Sequence, residues 1–400
     1  MLSVADAVRT VLERVPRLGA ERVALDRARG RVLAANIIAE RPLPGFDNSA
    51  MDGYAVRSAE LPGTFAIGGV IAAGDVPGAP VPPGTALRIF TGAPMPAELD
   101  TVVMQENATV DAGKVTLPAA PVGDHVRRRG EDLAIGEAVI AAGTRITPWH
   151  LGVLAALGVT RVPVATAPRV AVIATGDELV DVSTEPGPGQ LVDSSVHALV
   201  ALIEDAGGTA HPLGIARDDL ASLAAMISQA LAYDVVITTG GVSVGDRDHV
   251  RAALAAASVE PELYKVAMKP GKPFSFGLRH GADGTRTPVF GLPGNPVSTI
   301  VVFELFLRPA LLAMQGAAAP QRPRAPVQLP RGYRKQAGRA HYLRANVVRD
   351  GASLIAHPHA KQGSAMMSSL VACNALVELP AELTELPPGA STNAILLEAV

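Results

Sequence analysis

Between residues 168 and 315 short unbroken apolar runs alternate with stretches whose apolar positions recur every three or four residues. That spacing predicts strand 169–174 ("RVAVIA"), helix 194–206, strand 210–215, helix 218–232, strand 234–239 and helix 248–257. Strands near 264–267 and 288–292 and a helix over 297–315 complete the series. Strands alternating with helices imply a doubly wound, mainly parallel sheet covered on both faces. The texture differs elsewhere. Residues 1–40 read as helical, with "VADAVRTVLERV" placing apolar side chains on one face. From about 42 to 145, Gly and Pro separate short β-like runs ("TFAIGGVIAA", "ALRIF", "DTVVMQ", "KVTL"), which predicts a β-rich domain. Residues 146–164 read as a helix and a strand leading into the α/β unit. After the Pro-rich stretch 316–326 the chain returns to short strands and turns.

Composition bounds the picture. Four hundred residues suggest roughly two to four domains. With 48% hydrophobic and 18% charged residues the chain buries real cores. The net charge of −3 gives no general basic field for nucleic acid or an anionic membrane, so any anion site must be local. Cys373 is the single cysteine, which excludes an intramolecular disulfide and a cysteine-cluster zinc site. The N-terminus shows no apolar signal core, and the apolar segment 297–314 carries Glu304 and Arg308, as a buried helix does and a membrane span does not. The expectation is a soluble, cytoplasmic protein with no nucleic-acid or membrane partner.

In a doubly wound sheet ligands bind at the carboxyl ends of the strands. Four predicted loops there are rich in glycine, carboxylates or lysines. They are Thr175-Gly176-Asp177-Glu178, Gly240-Gly241-Val242-Ser243-Val244-Gly245 with Asp246 and Asp248, Lys269-Pro270-Gly271-Lys272-Pro273, and Leu292-Pro293-Gly294-Asn295-Pro296. Glycines let backbone N–H groups approach an oxyanion. Lys265, Lys269 and Lys272 add positive charge for phosphate or another oxyanion. Glu178, Asp246 and Asp248 are hard oxygen donors of the kind that hold Mg²⁺ against phosphate. Each feature also has a plainer account: an acidic first turn for Glu178, solvated surface lysines, and prolines that merely start a helix.

The stretch "GGVSVGDRD" contains G-x-S-x-G, so Ser243 is also a candidate hydrolase nucleophile. Two carboxylates directly behind it disfavour a developing oxyanion, and that reading leaves the other three loops unexplained. No H-E-x-x-H, P-loop or dinucleotide fingerprint is present. Outside the α/β unit, "GFDNSAMDGYAV" (45–56) and "RRRGEDL" (127–133) concentrate polar groups. A self-satisfied turn and a solvated charge run are their plainer readings.

Taken in order, "DNSAMDGYA", "IFTGAPMP", "RRRGED", "TGDEL", "GGVSVGD", "KPGKPF" and "GLPGNPVS" resemble the molybdopterin molybdenumtransferases, the MoeA and gephyrin E-domain family. The resemblance runs from about residue 5 into the C-terminal segment. It implies four parts: an extended connecting domain (1–40 and 134–167), a β-rich domain (41–133), a MoaB/MogA-like α/β molybdopterin-binding domain (168–318) and a C-terminal β-barrel (319–400). It also implies molybdate insertion into adenylyl-molybdopterin with Mg²⁺-dependent release of AMP. The implied assembly is a homodimer with the site between subunits, with a molybdopterin adenylyltransferase as an upstream partner.

The resemblance assigns reacting or orienting roles to Asp52, Asp132, Glu178, Asp218, Asp248, Lys265 and Lys269. Substrate contacts fall on Thr91, Arg127, Thr175, Gly176, Gly240, Gly241, Ser243, Gly245, Lys272, Pro293, Gly294 and Pro296, with Arg344 and Ser364 in the last segment. Glu178 and Asp248 are the candidate metal ligands. Ser243 then becomes a member of an anion loop. Asp193 is retained, whereas Ser195 stands where the family often has a longer amide. Rival readings are a binding scaffold, an adenylyltransferase acting one step earlier and a serine hydrolase.

Overall fold

The computed structural model describes residues 1–76, 78, 80–241 and 249–398. Its contacts divide into two units. The first comprises Met1–Ala35, Ala142–Thr147 and Val162–Val400, and the second Asn36–Ala141 and Pro148–Arg161.

The first unit is built on a six-stranded sheet in the order Thr209–Ala216, Arg169–Thr175, Val235–Thr239, Arg286–Leu292, Ser275–His280, Val259–Tyr264. The first four strands are parallel, and the last two join antiparallel. Successive side chains of Arg169–Thr175 feed opposite cores, Val170 and Val172 one and Ala171 and Ile173 the other. This follows from the two-residue repeat of a strand covered on both faces. Helices Ser195–Asp205 and Pro296–Val302 close one face, and Leu220–Ala230 and His249–Ala256 the other.

The antiparallel hairpin departs from the predicted pattern. "SFGLRH" carries a polar tail and lies outside the predicted strands, yet it pairs with Arg286–Leu292 across the turn Gly281–Thr285. The predicted strand near 264–267 lies earlier, at Val259–Tyr264. Predicted helix over 1–40 is confined to Val4–Arg14; Pro16 and the pairing of Ala20–Ala24 with Arg161–Ala165 override helix propensity beyond it. The Val4–Arg14 helix buries Ala7 and Val11 in the core that also holds Val170 and Phe306.

Residues Pro296–Met314 form one long helix with a π-turn at Phe303–Leu307, and 89% of its most apolar stretch is buried. It is therefore a core helix. Its Glu304 accepts from Arg322 Nε at 2.8 Å and Nη2 at 2.9 Å, and Arg322 also donates to the Leu397 carbonyl. That network ties the helix to the C-terminal segment. There, Ala340–Asp350, Ser353–Pro358, Arg324–Gln328, Ser391–Leu396 and Ala375–Leu379 pair in a ring that closes on Ala340–Asp350. The expected β-barrel is present, with Val327, Leu343, Val347 and Val377 in its core.

The second unit is a six-stranded sheet ordered Thr101–Met104, Gly53–Val56, Thr85–Ile89, Gly63–Ile71, Lys114–Leu117, Thr109–Asp111. Tyr54, Val56 and Phe65 pack on one face, and Ala55, Ile89 and Val102 on the other.

Candidate functional site

The described residues of the four predicted loops gather at one edge of the first unit's sheet. Thr175, Thr239 and Leu292 end parallel strands there, and Ser275 opposite Gly291 brings the lysine loop to the same edge. Close backbone approach explains the glycines. A Cβ on Gly240 (φ +83°) would sit 2.6 Å from the Thr175 carbonyl oxygen, and one on Gly176 would sit 2.6 Å from Glu178 Oε2. Gly241 (φ +62°) leaves no room beside Val250. Thr175 Oγ1 donates to the Thr239 carbonyl at 2.9 Å, and Gly240 N–H to the Leu292 carbonyl at 3.0 Å, so three loops are locked together. Gly294 packs against Gly240.

At this edge Asp177, Glu178 and Asp218 form an acidic group. Asp218 N–H donates to Asp177 Oδ1 at 3.2 Å. Burial, then the charges of Asp177 and Glu178, hold the Asp218 carboxyl above the usual aspartate range. Among the described residues no three Asp, Glu, His or Cys side chains converge into a preformed metal cage. Ser243, Gly245 and Asp248 lie outside the described residues. Asp193 is buried and caps helix Ser195–Asp205 through the Ser195 N–H at 3.0 Å and the Val196 N–H at 3.3 Å. Ser195 is itself buried in that first turn.

A second feature is cationic. Met268–Lys269 pairs in parallel with Ala340–His341, which seats the lysine loop on the barrel. Together they enclose a cavity of about 650 Å³, lined by Lys269, Lys272, Pro293, Arg339, Lys361 and Ser364, with Asn295, Ser298 and Gln362 as neutral polar groups. Among the described residues no carboxylate lines it. The sequence nominated Lys269, Lys272, Pro293 and Ser364; it missed Arg339 and Lys361. Lys361 stands three residues before Ser364 in "KQGS", and that proximity was the available signal.

Arg344 is not exposed in the cavity. It is 1% exposed, and its guanidinium donates to Ser369 Oγ and to the Lys361 and Gly363 carbonyls, each at 3.0 Å. It shapes the loop that presents Lys361. Ser364 is held from the other side, its carbonyl accepting from Val297 N–H at 3.1 Å, so Pro296 and the helix it opens abut this loop. Lys265 takes the left-handed φ of +59° at the end of Val259–Tyr264 and is not part of the lining. His341, opposite Lys269 and buried, is pushed down to about 4 by burial and then by Lys269, Lys335 and Arg339.

In the second unit the two remaining motifs meet. Asp52 Oδ1 accepts from Thr91 N–H and Oγ1, both at 2.8 Å, which hold its carboxylate below the usual range. Gly53 is required beside it, since a Cβ there would lie 2.2 Å from the Val103 carbonyl oxygen. Arg127 pairs with Asn48, and Asp47 accepts from Arg128 Nη1 at 2.8 Å and Arg129 N–H at 2.7 Å. "RRRGED" is therefore anchored to "GFDNS" and is not a free charge run. Asp132 is exposed, with its N–H on the Leu43 carbonyl at 3.0 Å.

Known proteins resemble this chain along its length. Residues 2–158 match the MoeA N-terminal region (domain I and II), 171–313 a probable molybdopterin binding domain, and 326–397 the MoeA C-terminal region (domain IV). Molybdopterin molybdenumtransferase 2 of Mycobacterium tuberculosis is 36% identical over 97% of this chain and 98% of its own length. The chain belongs to the molybdopterin molybdenumtransferase family. It is accordingly a transferase. The molybdopterin molybdenumtransferase of a Nostoc species is 38% identical over 80% of this chain and 76% of its own length. The crystal structure of the molybdopterin biosynthesis MoeA protein of Pyrococcus horikoshii superposes with a TM-score of 0.82 at 29% identity, covering 100% of both chains.

Proposed function

We propose that this chain acts in molybdenum cofactor biosynthesis, inserting molybdate into adenylyl-molybdopterin with Mg²⁺-dependent release of AMP. The observation that carries the reading is the cavity whose charged lining is Lys269, Lys272, Arg339 and Lys361. A compact dianion such as molybdate suits four converging cations and neutral hydroxyl and amide groups. The neighbouring edge of Glu178, Asp177 and Asp218 supplies the complement, hard anionic donors for a cation.

Glu178 and Asp248 are the proposed Mg²⁺ ligands. Mg²⁺ is commonly held by one or two carboxylates together with substrate phosphates, so a complete protein cage is not required. When bound it neutralises phosphate charge. Asp218 holds its proton to higher pH than an ordinary aspartate, which suits it to orienting a phosphate oxygen. Thr175, Gly176, Gly240, Gly241 and Gly294 belong to the proposed anion loops, and Lys265 extends their positive rim; Ser243 and Gly245, outside the described residues, are proposed as substrate contacts. Asp52, Thr91, Arg127 and Asp132 are proposed to complete the site from the β-rich segment of a homodimer partner. Helix Pro148–Ala156 supports association: apart from His150 it is apolar, it buries only Leu154, and it leaves Trp149 83% exposed. A cytoplasmic location, the four-part division of the chain, and substrate delivery by a molybdopterin adenylyltransferase are parts of the same proposal.

The test is incubation of the purified protein with adenylyl-molybdopterin, Mg²⁺ and molybdate. AMP release and reconstitution of a molybdenum-dependent apoenzyme, both lost in Asp52→Ala, are expected. Tight binding without AMP release would reduce the chain to a binding scaffold.

A further inference from the structure

We propose that Arg88 is a positioning residue for Asp52, fixing the backbone carbonyls of residues 52 and 53, the backbone that carries that carboxylate. This rests on the role of Asp52 given above. Arg88 lies on strand Thr85–Ile89, directly opposite Tyr54 in the ladder with Gly53–Val56. Its Nη1 donates at 3.0 Å to the carbonyl of Gly53, the residue just after Asp52. Its Nη2 donates to Gln105 Oε1, and Gln105 N–H in turn donates to the Asp52 carbonyl at 3.1 Å. One guanidinium thus holds residue 53 directly and residue 52 through one intermediary. A planar fork with parallel donors is suited to such a clamp, and a lysine ammonium is not.

Aromatic rings fix the clamp itself. The guanidinium carbon lies 5.3 Å from the Tyr54 ring centre and 5.0 Å from that of Phe90, distances at which a cation is attracted to ring faces. Phe90 immediately precedes Thr91, whose N–H and hydroxyl both grip Asp52 Oδ1. Arg88 thus touches Gln105, which holds the Asp52 backbone, and Phe90, the neighbour of the residue that grips the carboxylate. Its positive charge also favours the ionised form of Asp52, after the two Thr91 hydrogen bonds. The nearest acid on the same network is Glu106, whose Oε1 accepts from Gln105 Nε2 at 3.3 Å. Nothing in the sequence motifs singled out Arg88, because "ALRIF" reads simply as a strand.

The experiment compares wild type, Arg88→Met, Arg88→Lys, Asp52→Asn and Arg88→Met/Asp52→Asn as full-length proteins. The Asp52 carboxyl is assigned by ¹³C NMR as the signal missing in Asp52→Asn, and titrated directly. Arg88→Met is expected to move that titration upward and to lower kcat roughly ten- to a hundredfold with little change in KM, as for a misplaced reacting group. Arg88→Lys should keep the titration near wild type while remaining slow, because charge is restored and the fork is not. Adding Arg88→Met to Asp52→Asn should cost little further activity. An unmoved Asp52 titration, or a full additional loss in the double variant, would overturn the proposal and leave Arg88 as a strand-packing residue. Full activity in Asp52→Asn would instead sink the role assigned to Asp52, while the titration still reports on Arg88.

Discussion

Two neighbouring regions of the first unit make opposite use of charge. The cavity on the barrel collects Lys269, Lys272, Arg339 and Lys361 and has no carboxylate among its described lining residues. The sheet edge collects Asp177, Glu178 and Asp218, where burial and then the charges of Asp177 and Glu178 raise the proton affinity of Asp218. Each cluster is unfavourable by itself, since like charges in one place destabilise the fold that holds them. A chain of net charge −3 hides both in its totals. In the proposed function the cationic region takes the oxyanion and the anionic region the metal ion.

The sharpest way to break that contrast is to put an acid among the cations. Lys269→Glu is expected to lower molybdate insertion by at least a hundredfold, because it removes one charge-assisted contact and adds a repulsive one. The melting temperature should stay close to wild type, since Lys269 is exposed. Steady-state AMP release measured beside a thermal scan separates the two.

Arg344→Met acts from underneath. Removing this buried guanidinium leaves the Lys361 and Gly363 carbonyls and Ser369 without their donor. A loss of about 3 kcal/mol of stability is expected, measurable by urea unfolding. Molybdate affinity should fall with it, as the loop carrying Lys361 loosens. Lost stability with unchanged affinity would separate Arg344 from the cavity.

This pairing also shows what was legible in the chain. The edge loops could be read because each follows a strong apolar strand, so "TGDE", "TGG" and "LPGNP" fell where an open α/β sheet binds ligands. The cavity could be read only in part. Lys269 and Lys272 belong to such a loop, but Arg339 and Lys361 come from the barrel, and no local pattern says that the barrel returns to that loop. Arg344 was nominated as a contact; its burial, and hence its role behind the loop, is a tertiary fact. The strand Ser275–His280 is hard to read because Gly277 interrupts its apolar run and Arg279 and His280 end it.

His341 gives a pH-dependent test on the cationic side. Its folded value of about 4 lies below the ordinary histidine value of 6.5. A depressed histidine contributes stability that is present above its unfolded value and is lost as pH falls toward the folded one. Between about pH 6.5 and 4 the wild type should therefore lose stability that His341→Phe does not lose, by denaturant unfolding at several pH values.

The smallest expected effect lies at the acidic edge. Asp218 binds its proton more tightly in the folded state, so its ionisation at neutral pH opposes folding, and that opposition fades as pH falls to the ordinary aspartate range. Asp218→Asn should slightly raise the melting temperature of the metal-free protein at neutral pH. The gain should shrink in acid, and Mg²⁺ should stabilise the wild type more than the variant.

The central claim is that oxyanion and cation occupy the two regions separately. Anomalous diffraction at the molybdenum edge from crystals soaked in molybdate, with Mn²⁺ in place of Mg²⁺ and located at its own edge, tests it directly. Molybdenum between Lys269, Lys272, Arg339 and Lys361, with manganese at Glu178, is the result predicted. Molybdenum elsewhere with that cavity empty, or manganese among the lysines, would contradict it.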